Sequence, residues 1–206
     1  MSRLGSRVVL GVLLLAAALA TGVVGFLAVR VLSGGPAAVR EGGSFGEASI
    51  GGSFNLVDGD GVPRTEADYR GKLTLIYFGY SYCPDVCPTE LQKMGAAMDL
   101  LGKDGEQVVP IFITVDPERD TPAEIKTYVA NFHPRMVGLT GSPEQIKAAA
   151  RAWRVYYKKV DDPAATQYTM DHSSIVYLMD RQNRFLTHFS ARNTPEDMAA
   201  AIRKFL

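Results

Sequence analysis

Three continuous apolar runs constrain the fold of this chain more than any other feature: Leu73–Tyr80 (LTLIYFGY), Val108–Val115 (VVPIFITV) and Ser174–Met179 (SIVYLM). A strand with one wet face alternates polar and apolar residues. These runs do not alternate, so the sheet they build has to be covered on both faces. The stretches between them supply the cover. Leu91, Met94, Met98 and Leu101 recur at helical spacing, and the two methionines read as part of a core-facing stripe, not as metal ligands. Further helices are expected over Pro122–Asn131, Pro143–Trp153 and Pro195–Phe205, and Arg184–Phe189 reads as a strand after a turn at Asp180–Asn183. The expected class is α/β with a mixed central sheet.

The first fifty residues read differently. Positions 8–29 carry no charge between Arg7 and Arg30, and as a helix these residues would extend about 33 Å, enough to cross a hydrocarbon core. Arg3 and Arg7 ahead of the run place the N-terminus in the cytoplasm and the remainder outside it. Ala18-Leu19-Ala20 resembles a signal-peptide cleavage site, but the apolar run is longer than a usual signal core, which favours an uncleaved anchor. The expected division is therefore a transmembrane anchor over 1–30, a Gly- and Ser-rich tether over 31–53, and one domain over 54–206. With 47% apolar residues the domain can bury a full core. A formal net charge of zero, with no lysine or arginine run, argues against nucleic acid as a partner.

Thr121-Pro122-Ala123-Glu124, Ser142-Pro143-Glu144-Gln145 and Thr194-Pro195-Glu196-Asp197 share a helix-start rule: a hydroxyl cap, a proline in the first turn, and an acceptor three residues after the cap. Cys87-Pro88-Thr89-Glu90 repeats it with a thiol at the cap. Placed there, the Cys87 sulfur would face free backbone N–H groups, and the helix dipole would favour its thiolate. Cys83 and Cys87 are the only cysteines of the chain, in YCPDVCPTEL after the first apolar run. They form either a disulfide or two arms of a metal site. A permanent disulfide closing so short a loop would stabilise little. A soft metal requires a further donor, which directs attention to the three histidines. His133, before Pro134, reads as a surface residue, and His188 is explained by sheet packing. His172, in the polar step DHSS leading into the third apolar run, is placed to face the Cys83 loop, although its position alone leaves a satisfied or surface role open. Two sulfurs and one imidazole would suit Cu(I), with Zn(II) or Cu(II) accommodated if a fourth donor joins. Asp116, first past the second apolar run, is the candidate for that auxiliary role, while Asp120 or Thr121 fits an ordinary turn or cap.

YCPDVCPTEL after LIYFGY, VDPERDTP after IFIT, and DHSSIVYLMD, in that order, resemble the Sco/SenC family of membrane-anchored copper proteins. The similarity runs from about Phe54 to the end of the chain, and an N-terminal anchor matches too. The resemblance implies a thioredoxin-like domain and a role in assembling the dinuclear copper centre of cytochrome c oxidase. It also implies copper held by Cys83, Cys87 and His172, with Asp116 beside the site. The implied partners are the copper-site subunit of the oxidase and other periplasmic copper chaperones or thiol oxidoreductases. Without an Arg- and Ser-rich transit segment before the anchor, the expected location is a bacterial inner membrane with the domain in the periplasm.

Two functions from different classes fit these residues. One is a copper metallochaperone that passes Cu(I), or Cu(II), to its target by ligand exchange. The other is a thiol-disulfide reductase using Cys83 and Cys87 as a redox disulfide, with Cys87 the expected low-pKa thiol. A peroxidase would require a PxxxTxxC arrangement, which is absent. His172 discriminates between the two, because a dithiol reductase can dispense with it.

Overall fold

The computed structural model describes residues 50–161 and 167–206. The expected anchor and nearly all of the expected tether lie outside the described residues. Among the described residues, no helix is long and apolar enough to cross a membrane.

In chain order the elements are β1 (Asn55–Asp58), β2 (Pro63–Thr65), β3 (Leu73–Gly79), α1 (Val86–Leu101), β4 (Val108–Thr114), α2 (Pro122–Ala130), β5 (Val137–Thr140), α3 (Pro143–Ala152), β6 (Tyr157–Val160), β7 (Thr169–His172), β8 (Val176–Met179), β9 (Phe185–Phe189) and α4 (Pro195–Arg203). Seven strands form one sheet in the order β2-β1-β5-β4-β3-β8-β9. The parallel pair β3–β4 runs from Leu73 opposite Val108 to Gly79 opposite Thr114. β5 continues the parallel set, whereas β8 pairs antiparallel to β3, giving the mixed sheet of a thioredoxin-like α/β domain. The three long apolar runs are thus neighbours at the centre. β6 and β7 stand apart as a two-stranded antiparallel ribbon.

Both faces of the sheet are covered, as continuous apolar strands require. Tyr77 points toward Cys87 of α1, while Phe78, its neighbour, meets Trp153 at the end of α3 at a centroid distance of 5.9 Å. Met94 and Met98 are fully buried in α1, which packs on α4, so the methionine stripe is core. Gly138 in β5 allows α2 to sit directly on the sheet, because a Cβ there would lie 2.1 Å from the Ile125 side chain. Three of the helix starts follow the rule read from sequence. Thr121, Ser142 and Thr194 each accept the N–H of the residue three positions on, and Glu124, Gln145 and Asp197 return the bond.

The fourth start departs from it. α1 begins at Val86 with Asp85 as its cap, so Cys87 is the second residue of the helix and not the cap. Pro88 is tolerated at the third position because first-turn N–H groups have no intrahelical acceptor to lose. β1, β2, β5, β6 and β7 were not expected. They are three or four residues long, too short to show a clear period, and β6 (YKKV) is largely exposed and charged, so it carries no apolar signal of a buried strand. His133 also differs from the expectation of a surface residue. It is buried, and its Nδ1 accepts the backbone N–H of Arg135 at 3.1 Å.

Candidate metal centre at the ends of the central strands

The C-terminal ends of β3 and β4 and the end of β7 converge on one point. Cys83 lies in the loop after β3, tied back by its own N–H to the Tyr80 carbonyl at 3.3 Å. Cys87 lies in the first turn of α1. Its backbone N–H donates to the Cys83 sulfur at 3.4 Å, so the helix N-terminus is directed at Cys83. His172 ends β7, with Tyr157 opposite it in the ribbon. Its Nε2 is 3.3 Å from the Cys87 sulfur, and its Nδ1 is 3.1 Å from the Ser173 carbonyl. A carbonyl can only accept, so Nδ1 is the donor there, and Nε2 is the ring nitrogen turned toward the sulfurs. The donor atoms of Cys83, Cys87 and His172 all lie within 4.8 Å of one another. That span is one a single soft ion can bridge.

The two thiols have opposite electrostatics. Cys83 is pulled down to about 3, chiefly by hydrogen bonding from the Cys87 thiol and further by His172 and the N–H groups of Asp85 and Cys87, against the opposing effect of burial. Cys87 is pushed up, first by the negative sulfur of Cys83 and then by its own burial. This reverses the expectation that Cys87 is the low-pKa thiol, because the helix begins two residues earlier than its cap pattern implied. Exposure points the same way: Cys83 is 8% exposed and Cys87 is fully buried. Both are free thiols here.

Residues that sequence reasoning did not single out complete the surroundings. Tyr77 donates from its hydroxyl to the Cys87 sulfur at 3.7 Å and also meets the Ser174 hydroxyl at 3.3 Å. The rings of Tyr80 and Tyr77 stand edge-on to the His172 imidazole. Asp120 is fully buried and accepts from Ser81 N–H at 3.0 Å, from the Ser81 hydroxyl and from Thr114 Oγ1 at 2.5 Å. It therefore fastens the loop that carries Cys83 to β4, while Thr121 does the capping. Burial pushes the Asp120 carboxyl above the usual range. Gly79 could have been noticed as a glycine closing a strand just ahead of two cysteines.

Asp116 is near the site but outside the group of donor atoms. Its Oδ2 pairs with Arg119 Nε at 2.5 Å and its Oδ1 accepts the Tyr168 hydroxyl at 2.8 Å. As the chain stands, both oxygens are occupied.

A Cβ at position 79 would lie 2.9 Å from the Cys87 sulfur and from Tyr77, and 3.0 Å from Phe112. Gly79→Ala is therefore expected to displace the sulfur and destabilise the fold by about 1–3 kcal/mol, a typical cost of overpacking. Thermal unfolding followed through the single buried tryptophan, Trp153, should show a midpoint several degrees lower. An unchanged midpoint would mean that the sulfur is not confined by the strand end.

A family model for SCO1/SenC matches residues 43–206. Among curated proteins, the chain is 45% identical over 168 residues to Protein SCO1 homolog 1, mitochondrial, of Arabidopsis thaliana; the match covers 81% of this chain and 50% of that protein. It is 45% identical over 172 residues to Protein SenC of Rhodobacter capsulatus, covering 82% and 76% of the two chains. The chain thus spans half the length of the plant relative. Among solved structures, Bradyrhizobium japonicum ScoI with copper bound superposes with a TM-score of 0.72 at 47% identity, covering 77% of this chain and all of the other.

Proposed function

Because the chain belongs to the SCO1/SenC family, we propose that it is a copper metallochaperone that delivers copper to the dinuclear copper centre of cytochrome c oxidase during assembly. The observation that carries this reading is the imidazole: His172 Nε2 is aimed at the Cys87 sulfur, with the ring orientation held by the Ser173 carbonyl. Such an outer partner is the usual device for orienting a metal-ligating histidine. The copper-bound state of the Bradyrhizobium japonicum relative supports the same assignment. Cys83, Cys87 and His172 are the proposed ligands, a soft set with room for an incoming sulfur. Cys83 already carries the charge the metal requires, and Cys87 gives up its proton when the metal binds. The copper is cargo, so the protein binds and releases it without turnover.

The apolar segment over residues 1–30 is the proposed anchor, followed by a tether over 31–53. It would hold the 54–206 domain on the periplasmic side of a bacterial inner membrane, beside the oxidase subunit that receives the copper. The curated relatives include both a bacterial and a mitochondrial protein.

A second function rests on the depressed Cys83 thiol beside Cys87. In the copper-free dithiol, the Cys83 thiolate would attack a target disulfide and release one target thiolate. Cys87, giving up its proton, would then attack the mixed disulfide and release the second. Two electrons pass to the target, and a Cys83–Cys87 disulfide is left. One experiment separates the functions: Cu(I)-loaded protein is mixed with the copper-free, thiol-reduced domain of the oxidase subunit. Delivery predicts that copper leaves this protein and the target gains it. Retention of copper here, together with reduction of a pre-oxidised target by the copper-free protein, would replace delivery with reductase action.

A further inference from the structure

His172 does not belong to the sheet that carries the cysteines. It ends the separate β6–β7 ribbon, so its distance from the two sulfurs depends on what holds that ribbon to the rest of the domain. One polar cluster spans the gap. Arg119, in the loop after β4, pairs with Asp116, donates from Nη1 to the Tyr168 carbonyl at 3.0 Å, and stands 3.7 Å from the centre of the Tyr168 ring. The Tyr168 hydroxyl returns to the second Asp116 oxygen at 2.8 Å. Tyr168 directly precedes β7. The same guanidinium lies 4.7 Å from the Tyr82 ring and 5.7 Å from the Tyr80 ring, both on the segment that leads to Cys83. Arg119 thus touches the β4 loop, the ribbon and the cysteine loop at once.

Building on the copper-site reading above, we propose that Arg119, Asp116 and Tyr168 form a latch that holds the β6–β7 ribbon against the cysteine loop and thereby sets the reach of His172. They are positioning residues, and Asp116 acts through Tyr168 instead of as a fourth ligand. The pair is fit for this task because its side chains are only 15% and 3% exposed, out of the solvent that weakens surface ion pairs. Arginine is the suitable residue. Its planar face stacks on Tyr168 while its edge donates to the Asp116 carboxylate and the Tyr168 carbonyl, which a lysine ammonium cannot do together. Tyr157 and Met170 of the ribbon also pack against the core, whereas a further polar tie, Lys159 to Glu118 at 3.1 Å, is exposed at both ends and contributes little.

Tyr168→Phe removes the hydroxyl bond and keeps the ring; Arg119→Lys keeps the charge and loses the planar fork. Cu(I) competition affinities of both variants are measured with His172 present and in the His172→Ala background, and amide hydrogen exchange is followed in the copper-free proteins. The latch predicts about tenfold weaker binding, the scale of an outer-shell loss, and only where His172 is present. It also predicts about tenfold faster exchange of the β6–β7 amides, with those of β3 and β4 unchanged. Equal losses in both backgrounds, or unchanged affinity and exchange, would overturn the latch. Equal affinity of wild type and His172→Ala would instead overturn the three-ligand site, and ribbon exchange alone would then decide whether the latch exists.

Discussion

Alkylation of the reduced, copper-free protein should modify Cys83 and leave Cys87 untouched, at a rate nearly flat from about pH 5 to pH 8. An ordinary thiol, with a pKa near 8.5, gains roughly tenfold in thiolate for each pH unit over that range. The sign follows from the shift. Cys83 is depressed to about 3, so its thiolate is already fully formed at the acid end and has nothing further to gain. Cys87 is pushed up and fully buried, so it stays protonated and out of reach. The Cys83 rate at the plateau should be moderate, because a low-pKa thiolate is a weaker nucleophile. Peptide mapping by mass after a short exposure to iodoacetamide reads both the site and the pH profile. Preferential labelling of Cys87, or a rate that climbs tenfold per unit, would reverse the assignment of the two sulfurs.

Substitution of either sulfur should have the larger effect on copper. Cys83→Ser or Cys87→Ser exchanges a soft thiolate for a hard hydroxyl, and a Cu(I) site of one sulfur and one imidazole is poorly matched to the ion. The expected loss in affinity is on the order of a thousandfold or more, beyond the ~10–100-fold that follows removal of an outer-shell partner. Thermal unfolding should change far less, since the cysteines form no disulfide and Cys83 sits at the edge of the core. Copper competition under anaerobic conditions tests this. Near-wild-type affinity in either variant would remove that sulfur from the site.

The central strands and the four helices were legible because their signals are local. An apolar run eight residues long, or a Thr-Pro-Ala-Glu start, needs no knowledge of distant parts of the chain. The ribbon was not legible, because β6 is a short, largely exposed, charged strand with only Tyr157 turned inward. His172 was legible in part: its position suggested a place opposite the cysteines, and only the family resemblance made it an expected ligand. The sulfurs were found but their roles were exchanged, since a two-residue change in where α1 begins decides which sulfur receives the helix amides. Asp116 was found as a neighbour of the site, but its partner Tyr168 lies 52 residues away, a separation no local pattern reports. Gly79, Tyr77 and Asp120 read as ordinary strand and turn residues. Their importance comes from the sulfur and the loop they meet in three dimensions.

On the proposed reading, Cys83, Cys87 and His172 form a single copper site. Copper stoichiometry and competition affinity of the wild-type protein and His172→Ala, measured with a Cu(I) chelator without oxygen, test it most directly. One equivalent bound by the wild type, and that equivalent lost or weakened by at least about a hundredfold in the variant, is the predicted result. Equal affinity in the two proteins would contradict it, and the pair of cysteines would then be a redox dithiol whose reduction potential becomes the quantity to measure.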